Sequence, residues 1–113
     1  MANALNYIKN LALAVIFITP AAAYAADQEY TLTIRDHRFE PAELRVPAGQ
    51  KIRLTVDNQD ASPEEFESHE LNREKIVPPK SKAVIYVGPL QPGRYPFFGD
   101  FNPATTRGVL IAE

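Results

Sequence analysis

The sequence predicts an all-β domain, a Greek-key β-sandwich of about seven to eight strands. Two observations carry that prediction. Short runs in which apolar and polar residues alternate recur between clusters of Pro, Gly, Asn and Asp, and no stretch sustains a helical period. A third observation sets the boundaries: the alternation begins only after an apolar leader.

Met1 to Asn10 carries one positive charge, Lys9, and no acid. Leu11 to Ile18 is unbroken apolar, and Ala23-Tyr24-Ala25 follows as a small-x-small cleavage site. This reads as a secretory signal peptide over residues 1–25, cut after Ala25. The rival reading, a membrane anchor, fits less well. Its apolar core is much shorter than the roughly 20 residues a spanning helix needs, and Pro20 interrupts it. The expectation is therefore an exported, periplasmic domain over residues 26–113, with no stable membrane insertion of the mature chain.

Glu29 to Asp36 alternates, with Tyr30, Leu32 and Ile34 facing inward. Pro41, which has no N–H to give a ladder, breaks the pattern after Phe39. Glu43 to Val46 is a short strand that ends at Pro47-Ala48-Gly49, a turn signal. In Gln50 to Asn58 the apolar side is Ile52, Leu54 and Val56. Beyond the acidic stretch, Pro78-Pro79 is a stop, and Lys82 to Gly88 is rich in β-formers. Arg94 to Phe98 and Gly108 to Ala112 make the closing hairpin, and Phe97, Phe98 and Phe101 supply core and rim. The expected sheets are antiparallel.

With no cysteine, neither a disulfide nor a thiolate metal site can form. The net charge of −2 gives no basic face for nucleic acid. Ser62, Ser68 and Ser81 lack a nucleophile-elbow context, and no Gly-rich run precedes a helix. Hydrolase and nucleotide-binding functions drop out, and no independent catalytic constellation is legible.

Five of the fourteen acidic residues fall between Glu64 and Glu74, around His69. In one reading this is a solvated connection neutralised by Arg73 and Lys75, with Arg73 and Glu74 forming an internal ion pair. In the other it is a cation site. On an extended backbone Glu65, Glu67 and His69 share one side, and Glu64, Phe66, Ser68 and Glu70 the other. Whether the stretch is strand, bend or helical turn is open at this level. Asp100 in the last loop is a further candidate ligand. Carboxylates with one imidazole suit hard or borderline cations, iron, manganese and cupric ion among them. His37 reads as an exposed loop histidine.

The order of these signals resembles a cupredoxin: Phe39-x-Pro41, then Leu44-x-Val46-Pro47-Ala48-Gly49, a strand ending at Asn58, and Tyr95-x-Phe97 leading to Gly108. The run Glu64-Glu65-Phe66-Glu67-Ser68, with Arg73-Glu74, Gly88-Pro89-Leu90-x-Pro92-Gly93 and Phe97-Phe98-Gly99-Asp100-Phe101, is similar to the cupredoxin-like domains of bacterial periplasmic iron-uptake systems. That resemblance implies an inner-membrane iron permease and associated periplasmic proteins as partners. It also implies an iron or copper ion as cofactor, and assistance in ferrous iron oxidation.

The chain departs from the blue-copper pattern at each ligand. Glu64 stands at the place of the first His, Gly99 at the Cys place and Asn102 at the second His, and the only Met is Met1. No type-1 blue-copper centre can be built from these residues. The metal-ligand candidates are therefore Glu64, Glu65, Glu67, His69 and Asp100. The competing function is a metal-free sandwich serving as a binding module or assembly subunit.

Overall fold

The structure is a computed structural model that describes residues 28–113. The expected leader and its cut after Ala25 lie outside the described residues. Among these, nine strands form the domain: β1 (Gln28–Arg35), β2 (Arg38–Glu40), β3 (Glu43–Val46), β4 (Ile52–Asn58), β5 (Glu64–Ser68), β6 (Arg73–Val77), β7 (Ser81–Val87), β8 (Gly93–Gly99) and β9 (Arg107–Ala112). One sheet has the order β2-β1-β4-β7 and the other β3-β9-β8-β5-β6. The chain changes sheet after β2, β3, β4, β6 and β7, which gives the Greek-key sandwich that the punctuation predicts.

Two pairings correct the antiparallel expectation. β1 runs parallel to β4, and β3 runs parallel to β9. Alternation of residue type fixes which side of a strand is buried and carries no information on the direction of its neighbour. Strands that return after the chain has visited the other sheet can lie either way.

The inward faces are as the alternation requires. Leu32, Ile34, Ile52, Leu54 and Val56 are completely buried, and Tyr30 packs at the margin of the cluster. Each such burial contributes roughly 1.5–3 kcal/mol. At the centre, Phe39 of β2 meets Phe97 of β8 edge-to-face at 4.9 Å and Phe66 of β5 at 6.1 Å. Phe66 and Phe97 stack at 5.3 Å. These contacts join the two sheets, and each adds about 0.5–1.5 kcal/mol beyond its area.

Two polar anchors set the loops that lead into β5. Asn58 is fully buried at the end of β4. Its Nδ2 donates to the carbonyls of Ser62 (2.9 Å), Val77 (3.1 Å) and Pro78 (3.2 Å), and its Oδ1 accepts from the Asp60 N–H. Asp60 then accepts from the N–H groups of Asp36 and His37 at 2.8 and 3.0 Å. Those two residues form the β1–β2 turn with φ of 51° and 55°, the left-handed pair of a type I′ hairpin. Asp-His is a weak turn signal by itself, and the Asp60 carboxylate supplies what the local sequence lacks.

The acidic stretch is a β-hairpin and contains no helical turn. β5 pairs with β6 from Glu64↔Val77 to Ser68↔Arg73. Ser68 donates to the Pro96 carbonyl and accepts from the Leu71 N–H, and Asn72 closes the turn at φ 52°.

β9 crosses the aromatic centre at Gly108, where an added Cβ would stand 2.5 Å from the Phe97 ring and 2.8 Å from the Ala42 carbonyl. Both neighbours are fixed, one by stacking and one by the backbone. Gly108→Ala is expected to destabilise the domain by about 1–3 kcal/mol. The reading would be a lower urea midpoint with an unchanged slope, and an unaltered midpoint would show that the ring can move away.

Candidate functional site

β5 divides the five predicted ligands between two environments. Its alternation turns Phe66 into the core and puts Glu64 and Ser68 on the same inner side, all three at or below 1% exposure. Glu65, itself only 9% exposed, and half-buried Glu67 lie on the opposite side. There the last loop brings Asp100 to them, its N–H donating to the Glu65 carbonyl at 2.9 Å. One carboxylate oxygen each of Glu65, Glu67 and Asp100 lies within 4.8 Å of the others. His69 lies past the end of β5 with its side chain 74% exposed. Its Nδ1 is 4.0 Å from Glu67, and its ring lies 5.6 Å from that of Phe98. The structure thus gathers Glu65, Glu67 and Asp100, leaves His69 beside Glu67, and puts Glu64 on the other side of the strand.

A fourth carboxylate joins the outer group. Glu74 of β6 is the register partner of Glu67 and is hydrogen-bonded to the Glu65 carboxyl. Sequence reasoning missed it as a site residue and gave it to an ion pair with Arg73. That pair is not formed. Arg73 instead donates to the carbonyls of Tyr86 and Asn72 at 2.8 Å, bridging the exposed edge of β6 to β7. The signal that could have found Glu74 is the hairpin itself. A turn centred on residues 69–72 places residues 67 and 74 opposite one another.

The outer carboxylates therefore face each other without a counter-charge. Among the described residues, the ion-pair contact they make is that of Glu67 with His69, and no Lys or Arg pairs with them. The consequence is read at Glu65, whose carboxyl is raised to about 7. The hydrogen bond with Glu74 is the main cause, followed by burial and by the negative charge of Glu74, Asp100 and Glu67. The mutual repulsion of these carboxylates favours the protonated form of Glu65. An open cleft of about 370 Å³ lined by Glu67, Ser68, His69, Asn72, Arg73 and Glu74 adjoins it.

On the inner side, Glu64, Gly99 and Asn102 do converge, as the blue-copper pattern implies for its ligand places. Glu64 Oε2 accepts from Asn102 Nδ2 at 2.8 Å. A Cβ on Gly99 would lie 2.5 Å from the Glu64 carboxyl carbon and 2.7 Å from Thr106 Cγ2. The carboxylate fills the space in which a ligand side chain from position 99 would reach a metal. With no thiolate and no imidazole in the set, these residues do not fit type-1 copper.

The model of the cupredoxin-like domain family matches residues 9–112. An uncharacterized protein of Rickettsia prowazekii (strain Madrid E) is 49% identical over 85 residues, 75% of this chain and 68% of that protein. Among solved structures, auracyanin A, a blue copper protein of Chloroflexus aurantiacus, superposes with a TM-score of 0.68 at 12% identity, over 78% of this chain and all of that one. The metal-binding domain of the Cu(I)-exporting P-type ATPase of Streptococcus pneumoniae D39 gives 0.64 at 17% identity, over 75% and 84%. Amicyanin of Paracoccus versutus gives 0.60 at 17%, over 82% and 87%.

Glu65 makes a pH dependence with a definite sign. Its carboxyl titrates near 7 in the folded protein against an ordinary value of 4.5. Between those values the unfolded chain has released the proton and the folded one still holds it, so stability falls as pH rises through the window. Urea midpoints measured from pH 4.5 to 8 should decline for the wild type and decline less for Glu65→Gln. Equal slopes in the two proteins would show that the carboxyl is not raised.

Proposed function

The chain belongs to the cupredoxin-like domain family, and from that premise we propose that it is a cation-binding member whose site has moved from the inner copper position to the outer face of β5. Glu65, Glu67 and Asp100 supply the first ligands, with Glu74 beside them and His69 within reach of Glu67. The observation that carries this reading is the convergence of three carboxylates within 4.8 Å with no Lys or Arg paired to them among the described residues. Held by strand and loop, such a set favours hard or borderline cations, ferric, cupric or manganous, over soft cuprous ion. Oxygen ligation also stabilises the ferric over the ferrous state, which suits a protein that assists iron oxidation without carrying out the reaction alone.

The physiological setting we propose is the periplasm, after export by the leader, in iron uptake through an inner-membrane permease. Its support is the likeness of the acidic hairpin and the Phe97–Phe101 run to iron-uptake domains. The copper proteins among the structural relatives support a metal-handling ancestry for the fold, and cupric ion belongs in the test for that reason. One observation favours the second reading, a metal-free binding module. The inner position is filled by a hydrogen-bonded carboxylate, so the sandwich is complete without any ion.

Calorimetric titration of the metal-free protein at pH 7 with cupric, ferric, ferrous and manganous ions separates the two. The first reading expects at least one ion to bind more tightly than about millimolar, with proton release because the cation replaces the proton held at Glu65. Glu67→Gln should weaken that binding about tenfold or more, and His37→Ala should leave it unchanged. Absence of any such binding leaves the metal-free module.

A further inference from the structure

Glu64 opens β5, and the alternation that turns Phe66 into the core takes Glu64 with it. A carboxylate at 1% exposure is costly unless its oxygens are given donors or a cation. No Lys or Arg among the described residues pairs with it. Its partners are all N–H and O–H groups. Oε1 accepts from the N–H of Glu65 at 3.0 Å and from the N–H of Phe101 at 2.9 Å. Oε2 accepts from Asn102 Nδ2 at 2.8 Å and lies 3.5 Å from Thr106 Oγ1, whose main acceptor is the His37 carbonyl at 2.8 Å.

Three of these four partners belong to the loop between β8 and β9. That loop is otherwise tied to itself, by Gly99 N–H to the Thr106 carbonyl at 2.7 Å and by the Asn102 carbonyl accepting from Thr105 and Thr106. Beside the Asn102 side-chain bond, its main chain is attached to β5 by a pair of consecutive bonds. The Asp100 N–H donates to the Glu65 carbonyl, and the next N–H, that of Phe101, donates to the Glu64 side chain. The first bond alone leaves the loop free to pivot, whereas the two together fix the backbone at residue 100. This is the residue whose carboxylate completes the outer group with Glu65 and Glu67. Gly99 permits the arrangement, since any side chain there would meet the Glu64 carboxyl.

We propose that Glu64 is the positioning residue of the outer carboxylate group, anchoring the β8–β9 loop from inside the sandwich so that Asp100 is held against Glu65 and Glu67. The anchoring of the loop stands by itself. Its effect on a bound cation rests on the reading of the outer group as a cation site. The carboxylate does not touch the cation and acts only through the Phe101 N–H and Asn102.

The test compares Glu64→Leu, which keeps the volume and removes both acceptors, with Glu64→Gln, which keeps one acceptor and lets Asn102 turn its carbonyl to the new amide. Amide hydrogen exchange at Asp100 and Phe101 is followed by NMR, with Leu54 and Ile85 as reporters of global opening. In Glu64→Leu the two loop amides are expected to exchange about tenfold or more faster relative to those reporters, the loss of about one charge-assisted hydrogen bond. Glu64→Gln should restore them to within about threefold of the wild type. The affinity of the ion that binds the wild type most tightly should fall about 10- to 100-fold in Glu64→Leu and recover in Glu64→Gln.

Unchanged loop exchange in folded Glu64→Leu, or a Gln variant no better than the Leu variant, overturns the proposal. If Glu64→Leu fails to fold, Asn102→Ala decides: several-fold faster exchange at Phe101 supports the anchor, and wild-type exchange refutes it. A wild type that binds no ion refutes the cation site and leaves the exchange result to decide the anchor. A wild type that binds, with Glu64→Leu binding equally well, refutes the positioning role alone.

Discussion

A carboxylate inside an apolar sandwich must be surrounded by donors, and the geometry where the β8–β9 loop meets β5 follows from that requirement at Glu64. Desolvating an ionised carboxyl costs several kcal/mol if it is left bare. The chain meets the cost with main-chain N–H groups and one amide, and with no counter-charge among the described residues. N–H groups come from whichever backbone can be bent toward the oxygens, so the β8–β9 loop closes over β5 with the Phe101 N–H and the Asn102 side-chain amide aimed at Glu64. The missing side chain at Gly99 is part of the same solution, because the carboxyl occupies the volume a Cβ would take. Glu64 is thus the interior member of a structure whose exterior members are its own neighbours in sequence.

Adjacent residues of one type meet opposite fates here because a strand has two faces. Glu64 looks inward, where the field is set by N–H dipoles aimed at it. Glu65 and Glu67 look outward, where the nearest groups are other carboxylates, from Asp100 and Glu74. The first environment satisfies negative charge with donors, and the second accumulates it. The raised Glu65 carboxyl is the measurable sign of that accumulation, and it distinguishes this group from an ordinary solvated acidic run, whose members ionise independently. Arg73 could have relieved it. Its guanidinium is spent on the Tyr86 carbonyl instead, where it covers a sheet edge that would otherwise be open.

How much of this the sequence made legible depends on the range of the interaction involved. The inner faces of β1 and β4 could be read directly, since period-two burial is a local property of each strand. The turn residues of β1–β2 were less legible, because Asp36 and His37 adopt left-handed angles with help from Asp60, more than twenty residues away. The parallel pairings of β1 with β4 and β3 with β9 had no local signal at all. At the site, the side assignment of Glu64, Glu65 and Glu67 followed from alternation once the stretch was taken as extended. The hairpin was obscured by its own composition, since five acids in a short run resemble solvated surface. Without it Glu74 had no reason to face Glu67, and His69 seemed to continue the strand that in fact ends at Ser68.

The relation to blue-copper proteins is clearest in what replaces the metal. In a copper-loaded pattern the ligand places hold one ion from several directions, which also fastens the last loop to the first ligand's strand. Here Glu64, Gly99 and Asn102 occupy three of those places, and hydrogen bonds from Phe101 N–H and Asn102 Nδ2 to Glu64 fasten the loop to β5. The fold loses nothing by the exchange, since its two sheets are already joined by Phe39, Phe66 and Phe97 stacked beneath the site. What changes is the side on which charge is exposed. An inner copper site would neutralise its ligands within the sandwich and leave the outer face of β5 without a role. With the interior settled by a fixed carboxylate, Asp100 is held over the outer face and negative charge collects there. That separation completes the interior without an ion and leaves the carboxylates of Glu65, Glu67 and Asp100 gathered on the other side of β5.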